Sequence, residues 1–267
     1  RTSHTNFLSQ LVASQLDVDS LDFLNMDCFF TGVSEVKIGF ERILKLLNVR
    51  DDDIVVEEKA IYSIENFLSS RRLMYWQVYL HKTTVAAENL LINVIKRAKW
   101  LAGKGKLAAR NKALQLFLLN EYSLEDFQEN KDVLMSFLSL DDYDLWGAIK
   151  IWVDHDDLVL SELCRMLVER NLFKIDIFNK PVPKSKVDSL RKDFIEKFPV
   201  SKKDASYFIN DGKLSNSAYE LGNSNINVLM KNGDIVDIAS ASDLPNIKAL
   251  SKIVNKYYLC FPKSVSL

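Results

Sequence analysis

Ile61-Tyr62-Ser63-Ile64-Glu65-Asn66-Phe67-Leu68 opens a run, continuing through Trp100, in which apolar residues recur three and four positions apart. That spacing lines one face of an α-helix. A helix of this kind needs a chain free of proline, whose ring removes a backbone donor and clashes with the preceding turn. All five prolines, Pro181, Pro183, Pro199, Pro245 and Pro262, lie beyond residue 180. The first two-thirds of the chain therefore read as helical. The same period is visible at Phe7, Leu8, Leu11, Val12 and Gln15, and at Ile38, Arg42, Ile43 and Leu46. Further helices are expected over residues 112–120, 130–138, 142–154 and 158–170, each bounded by polar residues suited to caps. Ser63 is the expected N-cap of the helix that opens near Tyr62. Ile54-Val55-Val56, after Asp51-Asp52-Asp53, reads as a short extended piece.

From Leu172 the texture changes. Phe173-Lys174-Ile175-Asp176-Ile177 alternates at period two, and residues 225–230 do so less cleanly, which is the pattern of strands. Lys231-Asn232-Gly233-Asp234 separates the latter from Ile235-Val236-Asp237-Ile238. Its Asn-Gly pair predicts a two-residue hairpin turn with both central residues at positive φ. Helices at 185–198 and 244–253 and a last strand at 256–261 complete a small α+β unit. The expected fold is mainly α: a helical portion over residues 1–171, then an α+β subdomain over 172–267.

The chain has 267 residues, 35 basic and 36 acidic, for a net charge of -1. Nothing in that balance suggests a protein built to bind long nucleic acid or an anionic membrane. Cys28, Cys164 and Cys260 are far apart and form no metal-type pair, which suits reduced thiols in a cytoplasmic protein. No apolar run approaches the ~20 residues needed to span a bilayer. The chain begins without Met, and its first segment resembles the interior of a domain, so further sequence is expected upstream.

Asp17-Val18-Asp19-Ser20-Leu21-Asp22-Phe23-Leu24-Asn25-Met26-Asp27 sets four carboxylates among apolar residues. At 100° per residue Asp19, Phe23 and Asp27 share one arc of a helix, while Leu21, Leu24 and Cys28 face the other way. Asp17 suits an N-cap. Carboxylates so placed can serve a hard metal ion and a sugar hydroxyl; they can equally form a solvated face at a helix start, where the dipole favours negative charge. Arg71, Tyr75, Tyr79 and Lys82 lie within about 80° of one another on an ideal helix. Two cations and two phenols on one face suit phosphate and base, or simply cover a neighbouring helix with their tips in water.

The segment from Ser14 through Asp27, continued by Phe29-Phe30-Thr31-Gly32-Val33, resembles a sequence block of HD-domain phosphohydrolases. It is most similar to the branch with bacterial deoxyguanosine triphosphate triphosphohydrolases and the animal SAM-and-HD-domain deoxynucleotidase. The resemblance implies that Asp19 is the last ligand of a divalent metal (Mn, Mg, Fe or Zn) and that Asp27 contacts the deoxyribose 3′ hydroxyl. Arg71-Arg72 followed by Tyr79-Leu80-His81-Lys82 resembles the family's next helix, where an Arg and a Tyr line the nucleotide pocket. Arg71 and Tyr79 carry over. Departures are Ser20 where the family has Lys or Arg, Phe23 where it has Tyr, Met26 where Arg is common, Leu80 for Gln and Tyr75 for His. The substrate-facing set is thus Phe23, Asp27, Arg71, Tyr75, Tyr79 and Lys82.

The family's metal site also needs a His and an adjacent His-Asp pair upstream, and His4 is the only histidine before Asp19. His155-Asp156 follows the Asp block and reads as a solvated helix end. No catalytic group is identifiable in this chain. Lys96, Arg97, Lys99, Lys104, Lys106, Arg110 and Lys112 bracket Gly103 and Gly105 without matching a phosphate-loop pattern, and read first as a solvated loop between helices and second as an effector or subunit contact. Trp76, Trp100, Trp146 and Trp152 read as core or interface residues. The resulting expectation is a metal-dependent hydrolase of deoxynucleoside triphosphates in its complete form, assembled as a homo-oligomer around a nucleotide substrate or effector. The alternative is a non-catalytic HD protein that senses nucleotides or drives oligomerisation, favoured by Ser20, Phe23 and Met26.

Overall fold

The computed structural model describes residues 6–216, 219, 225–243 and 253–264. Along the chain run α1 (Asn6–Val12), α2 (Val18–Thr31), α3 (Phe40–Lys45), β1 (Leu47–Arg50), β2 (Asp53–Glu57), α4 (Ile61–Met74), a π-helical turn (Tyr75–Tyr79) and α5 (Lys82–Gly103). There follow α6 (Lys112–Leu119), α7 (Leu124–Glu129), α8 (Lys131–Leu138), α9 (Asp142–Trp152), α10 (Leu158–Val168), β3 (Lys174–Phe178) and α11 (Lys184–Lys197). The remainder is β4 (Asn210–Asn216), β5 (Asn227–Leu229), β6 (Ile235–Asp237), α12 (Ile238–Ala241) and β7 (Val254–Phe261). The protein is mainly α with small sheets, as its sequence implies. The helix expected over 244–253 lies, but for its last residue, outside the described residues.

The chain forms two compact units that interleave: Arg1–His81 with Leu214–Asn255, and Lys82–Lys213 with Lys256–Leu267. The change of texture in the sequence, by contrast, suggests a single boundary at residue 171. A pairing such as β2 with β5, parallel with Val56 opposite Val228, joins segments far apart in the chain and leaves no local signal.

In the first unit the sheet order is β1-β2-β5-β6. β1 has no signal in the sequence, where the helical period runs on to Leu46. It pairs antiparallel with β2 through a two-residue turn in which Asp51 and Asp52 take φ of 50° and 64°. This is the left-handed geometry that matches the strand twist, and Asp tolerates it better than most residues. The β5–β6 hairpin is present but its turn differs from expectation. Gly233 N–H donates to the Met230 carbonyl (2.9 Å) and Met230 N–H to the Asp234 carbonyl (2.8 Å). Only Gly233 is left-handed (φ 92°). Asn232 instead uses its side chain, accepting from Asp234 N–H at 3.1 Å and donating to its carboxylate at 2.6 Å, so the loop has three residues and a glycine bulge. Leu21, Leu24, Ile43, Ile64, Phe67 and Val228 fill the core beneath.

The second unit is organised by α5, whose buried residues Ala86, Leu90, Val94, Ala98 and Leu101 fall at helical spacing. Among its packing partners are α6, α10 and β3. Each fully buried Leu removes apolar surface worth about 1.5–3 kcal/mol. A three-stranded sheet, order β3-β7-β4, completes the unit. Burial pushes Cys164 and Cys260 up to about 12, so both thiols are inert core residues.

Three local expectations need correction. The helical run over residues 61–100 is broken: Leu80 N–H bonds the Tyr75 carbonyl five residues back (2.7 Å), and Leu80 then leaves helical geometry (φ −100°, ψ 19°). Ser63 is not an N-cap, because α4 begins at Ile61, directly after a 3-10 turn over Glu58–Ala60. Finally, α7 and β4 were not anticipated. α7 is short but carries a full capping box between Ser123 and Asp126, a signal that was legible. No helix among the described residues is long and apolar enough to cross a membrane.

Candidate functional site

Asp17 caps α2 as expected, accepting from Ser20 N–H at 2.7 Å, and also from Ser14 N–H at 3.3 Å. Its carboxylate is thereby engaged. α2 runs unbroken to Thr31, so Asp19, Phe23 and Asp27 do stand on successive turns of one face. Leu21 and Leu24 are buried on the other.

The π turn brings two phenols to this face. Tyr79 Oη donates to Asp27 Oδ2 at 2.5 Å. The Phe23 ring meets Tyr79 edge-on with centroids 6.0 Å apart, and Tyr75 meets it from another side at 5.2 Å. Phe23, Asp27, Tyr75 and Tyr79 therefore form one half-buried cluster: Tyr79 bonds the carboxylate and packs edge-on against the other two rings. Asp27 keeps a second oxygen for another donor.

Arg71 Nη1 donates to the Gln15 carbonyl at 3.3 Å, in the segment leading into α2, and its buried Nε has no partner among the described residues. Lys82, exposed, opens α5 in the other unit. The expected single face of Arg71, Tyr75, Tyr79 and Lys82 is interrupted because the helix ends at Leu80. The Gln15 carbonyl, which no side-chain pattern reveals, is what fixes Arg71.

Asp19 is exposed. Among the described residues no group of three or more His, Cys, Asp or Glu could hold a metal ion. Asp19 supplies one carboxylate, and the described residues do not by themselves fit a divalent ion. Ser20 is 6% exposed on the inner side of α2. A lysine substituted there would begin its path in the core. In the second unit His155 is tied down, with Asp157 N–H donating to Nδ1 (2.9 Å) and Nε2 at 3.1 Å from the Lys106 carbonyl. Arg97 leaves the basic cluster altogether, since it is buried and paired with Asp157 and Asp204.

Burial, reinforced by the hydrogen bond and charge of Asp27, raises the Tyr79 phenol well above the usual tyrosine range. Burial and Asp237 do the same for Tyr219, which donates to that carboxylate in the same unit. A raised folded value means that the stability these phenols contribute is complete below the ordinary tyrosine pKa of about 10 and is lost as pH climbs above it. Wild-type protein is expected to lose stability from about pH 10 upward, and Tyr79→Phe to show a shallower alkaline limb in urea unfolding at pH 9 to 11. Equal slopes for the two proteins would contradict the Asp27–Tyr79 bond.

Residues 38–111 match the family described as the HD associated region. The chain is 31% identical over 263 residues to an uncharacterized protein of Bacillus subtilis, YwfO, covering 96% of this chain and 57% of that one. It is 29% identical over 101 residues to the Dictyostelium discoideum deoxynucleoside triphosphate triphosphohydrolase SAMHD1 homolog, covering 37% of this chain and 20% of that protein. Its structure matches the crystal structure of a phosphohydrolase from Bacteroides thetaiotaomicron with a TM-score of 0.87 and 45% identity, covering 98% of this chain and 65% of that one. Together these likenesses support an HD-domain phosphohydrolase family for the chain. The chain spans little more than half the length of the Bacillus relative.

Proposed function

We propose that this chain supplies the nucleotide-placing part of a phosphohydrolase acting on deoxynucleoside triphosphates. The observation that carries this reading is the Asp27 carboxylate, held at 2.5 Å by the Oη of Tyr79, whose ring Phe23 and Tyr75 in turn meet edge-on. Rings present apolar faces to a sugar or base, and a carboxylate oxygen beside them accepts one hydroxyl proton with direction. Tyr79 acts through Asp27 as a positioning residue. Arg71, anchored on Gln15, sets a cation against the segment leading into α2. In this reading hydrolysis draws on a divalent ion, to which Asp19 lends one carboxylate and groups outside the described residues the rest.

The test is equilibrium binding of deoxynucleoside triphosphates and of their 2′,3′-dideoxy counterparts to the purified chain. Loss of a hydrogen bond to a charged acceptor costs roughly 1.5–3 kcal/mol, so the 3′ hydroxyl is expected to improve affinity about tenfold or more. Equal affinities would sink the proposal. Discrimination without triphosphate release in the presence of Mn, Mg, Fe or Zn would favour a nucleotide-sensing module, a reading that the solitary Asp19 also supports.

A further inference from the structure

Three consecutive helices of the second unit are rich in apolar side chains and bury few of them. α6 buries Leu118, α8 buries Val133, and α7 buries none. The rings of Phe117, Phe127 and Phe137, one from each helix, pack on one another with centroids 5.5–6.2 Å apart. What lies outside them stays apolar: Leu119, Leu124, Leu134, Met135, Phe137 and Leu138 are 37–74% exposed. α8 carries the densest part. Lys131, Leu134, Met135 and Leu138 recur at intervals of three and four, so they form one stripe along the helix, and the buried Val133 faces roughly the other way. Apart from Lys131, Asp132 and Ser136 the helix is apolar all round, a composition that suits cover on every side rather than one face in water.

The extent and charge of this surface say what covers it. At their observed exposures the six side chains leave on the order of 600 Å² of apolar surface in water. A standard interface takes about 800 Å² from each partner, and in homodimers about 65% of that is apolar, so the area matches one half of a stable dimer. Lys131 gives the orientation. It opens α8, where the positive end of its own helix dipole disfavours a cation. A second α8 laid antiparallel across a two-fold axis offers Lys131 the negative, C-terminal end of the other helix, and receives the same contact in return. A face with one charge on it gives a foreign protein little to recognise, whereas its own copy matches it by symmetry.

We propose that the chain forms a two-fold homodimer through α8, the stripe of Leu134, Met135 and Leu138 packed antiparallel on its own copy, with Leu119 and Leu124 of the neighbouring helices adding to the contact. The surface shares no residue with the Asp27–Tyr79 cluster and does not depend on nucleotide binding there. Sedimentation equilibrium of the purified chain over a concentration series tests it, with twice the 30.6 kDa chain mass expected at micromolar concentration. Leu134→Asp with Leu138→Asp should raise the dimer dissociation constant at least a hundredfold, each dimer carrying four buried carboxylates. Circular dichroism should show that variant to be as helical as wild type, since both positions face water in the single chain. Lys131→Glu decides the case independently of it. Glu at the start of α8 suits its own helix, so a purely local role predicts an unchanged or tighter dimer, whereas the antiparallel pairing predicts one weakened about tenfold. A chain that stays monomeric at hundreds of micromolar would overturn the proposal and leave the face to another partner. So would a wild-type dissociation constant in the double aspartate variant, or a dimer that Lys131→Glu leaves unchanged or tightens.

Discussion

Arg97→Met is expected to lower the melting temperature by about 10 °C, because severing a buried ion pair costs about 3–5 kcal/mol and each kcal/mol shifts a domain of this size by a few degrees. Arg97 is 6% exposed on α5. Its Nε and Nη2 grip Asp157 at 2.9 and 2.6 Å, and Nη1 reaches Asp204 at 2.6 Å. The guanidinium also lies over the Trp100 ring, 4.4 Å from its centroid, and 5.3 Å from that of Tyr207. Met fills much of the same volume, so the cost is the two carboxylates left without a cation rather than a cavity. Asp157 additionally caps α10 through Leu160 N–H at 2.9 Å, so disturbing it frays a helix. The acid limb gives a second readout. Burial pushes the Asp157 carboxyl up, but the Arg97 hydrogen bond, the Leu160 N–H and the charges of Arg97 and His155 outweigh it and hold the group below the ordinary range. A depressed carboxylate contributes stability that is present above its unfolded value, about 3.9, and is lost as pH falls through the folded one. With Arg97 gone burial prevails and the carboxyl rises, so the charged form is what the folded variant tolerates badly: its deficit relative to wild type should be full at pH 7 and should narrow as pH falls through the carboxylate range. A variant as stable as wild type at pH 7, measured by thermal unfolding, would show that the cluster contributes nothing net.

Arg97 also shows where sequence reading stops. Among Lys96, Lys99 and Lys104 it looks like one more surface charge, and only the tertiary approach of Asp157 and Asp204 makes it a core residue. The α-helices that bury one stripe were legible because their period is local: α6, α8, α9 and α10 fall within two residues of expectation. β1 was not legible. Leu47-Asn48-Val49-Arg50 continues the apolar period of the helix before it, and its strand state follows from pairing with β2 across two left-handed aspartates. The end of α4 was hidden for a related reason. Met74-Tyr75-Trp76-Gln77-Val78-Tyr79 has no Gly or Pro to mark a stop, and the contact that accompanies the π turn, Tyr79 against Phe23 of α2, is one no window of sequence contains.

The cluster itself was partly legible. Periodicity alone put Asp19, Phe23 and Asp27 on one face and Asp17 at the cap, and the structure keeps that arrangement because α2 is regular. Bringing Tyr79 onto Asp27 required a second helix at the right distance, which periodicity cannot supply. Lys82 shows the converse: its place beside Tyr79 on one ideal helix depends on Leu80 staying helical, and Leu80 does not. The substituted Ser20 gains a physical meaning from its burial, since the inner face of α2 has closed over the position where the family resemblance implies a cation.

If Tyr79 works through Asp27, their substitutions cannot have independent effects. Asp27→Ala is expected to weaken deoxynucleoside triphosphate binding by about tenfold to a hundredfold, the value of a hydrogen bond to a charged acceptor, and to abolish preference for the 3′ hydroxyl. Tyr79→Phe removes a single hydrogen bond from the carboxylate and leaves its other oxygen in place. Its expected cost is a few-fold in affinity, from about 1 kcal/mol, with preference for the 3′ hydroxyl retained. The double variant should bind no worse than Asp27→Ala alone, because without the carboxylate the phenol has nothing to hold; groups in one hydrogen-bonded network are non-additive in this way. Stability provides the control. Asp27→Ala strands a half-buried hydroxyl, and is expected to cost about 1–3 kcal/mol of unfolding free energy, which adding Tyr79→Phe should partly restore. Strict additivity of the two affinities would mean that Asp27 and Tyr79 contact the ligand separately. Retained 3′ preference in Asp27→Ala would place the hydroxyl elsewhere and remove the carboxylate from the binding site.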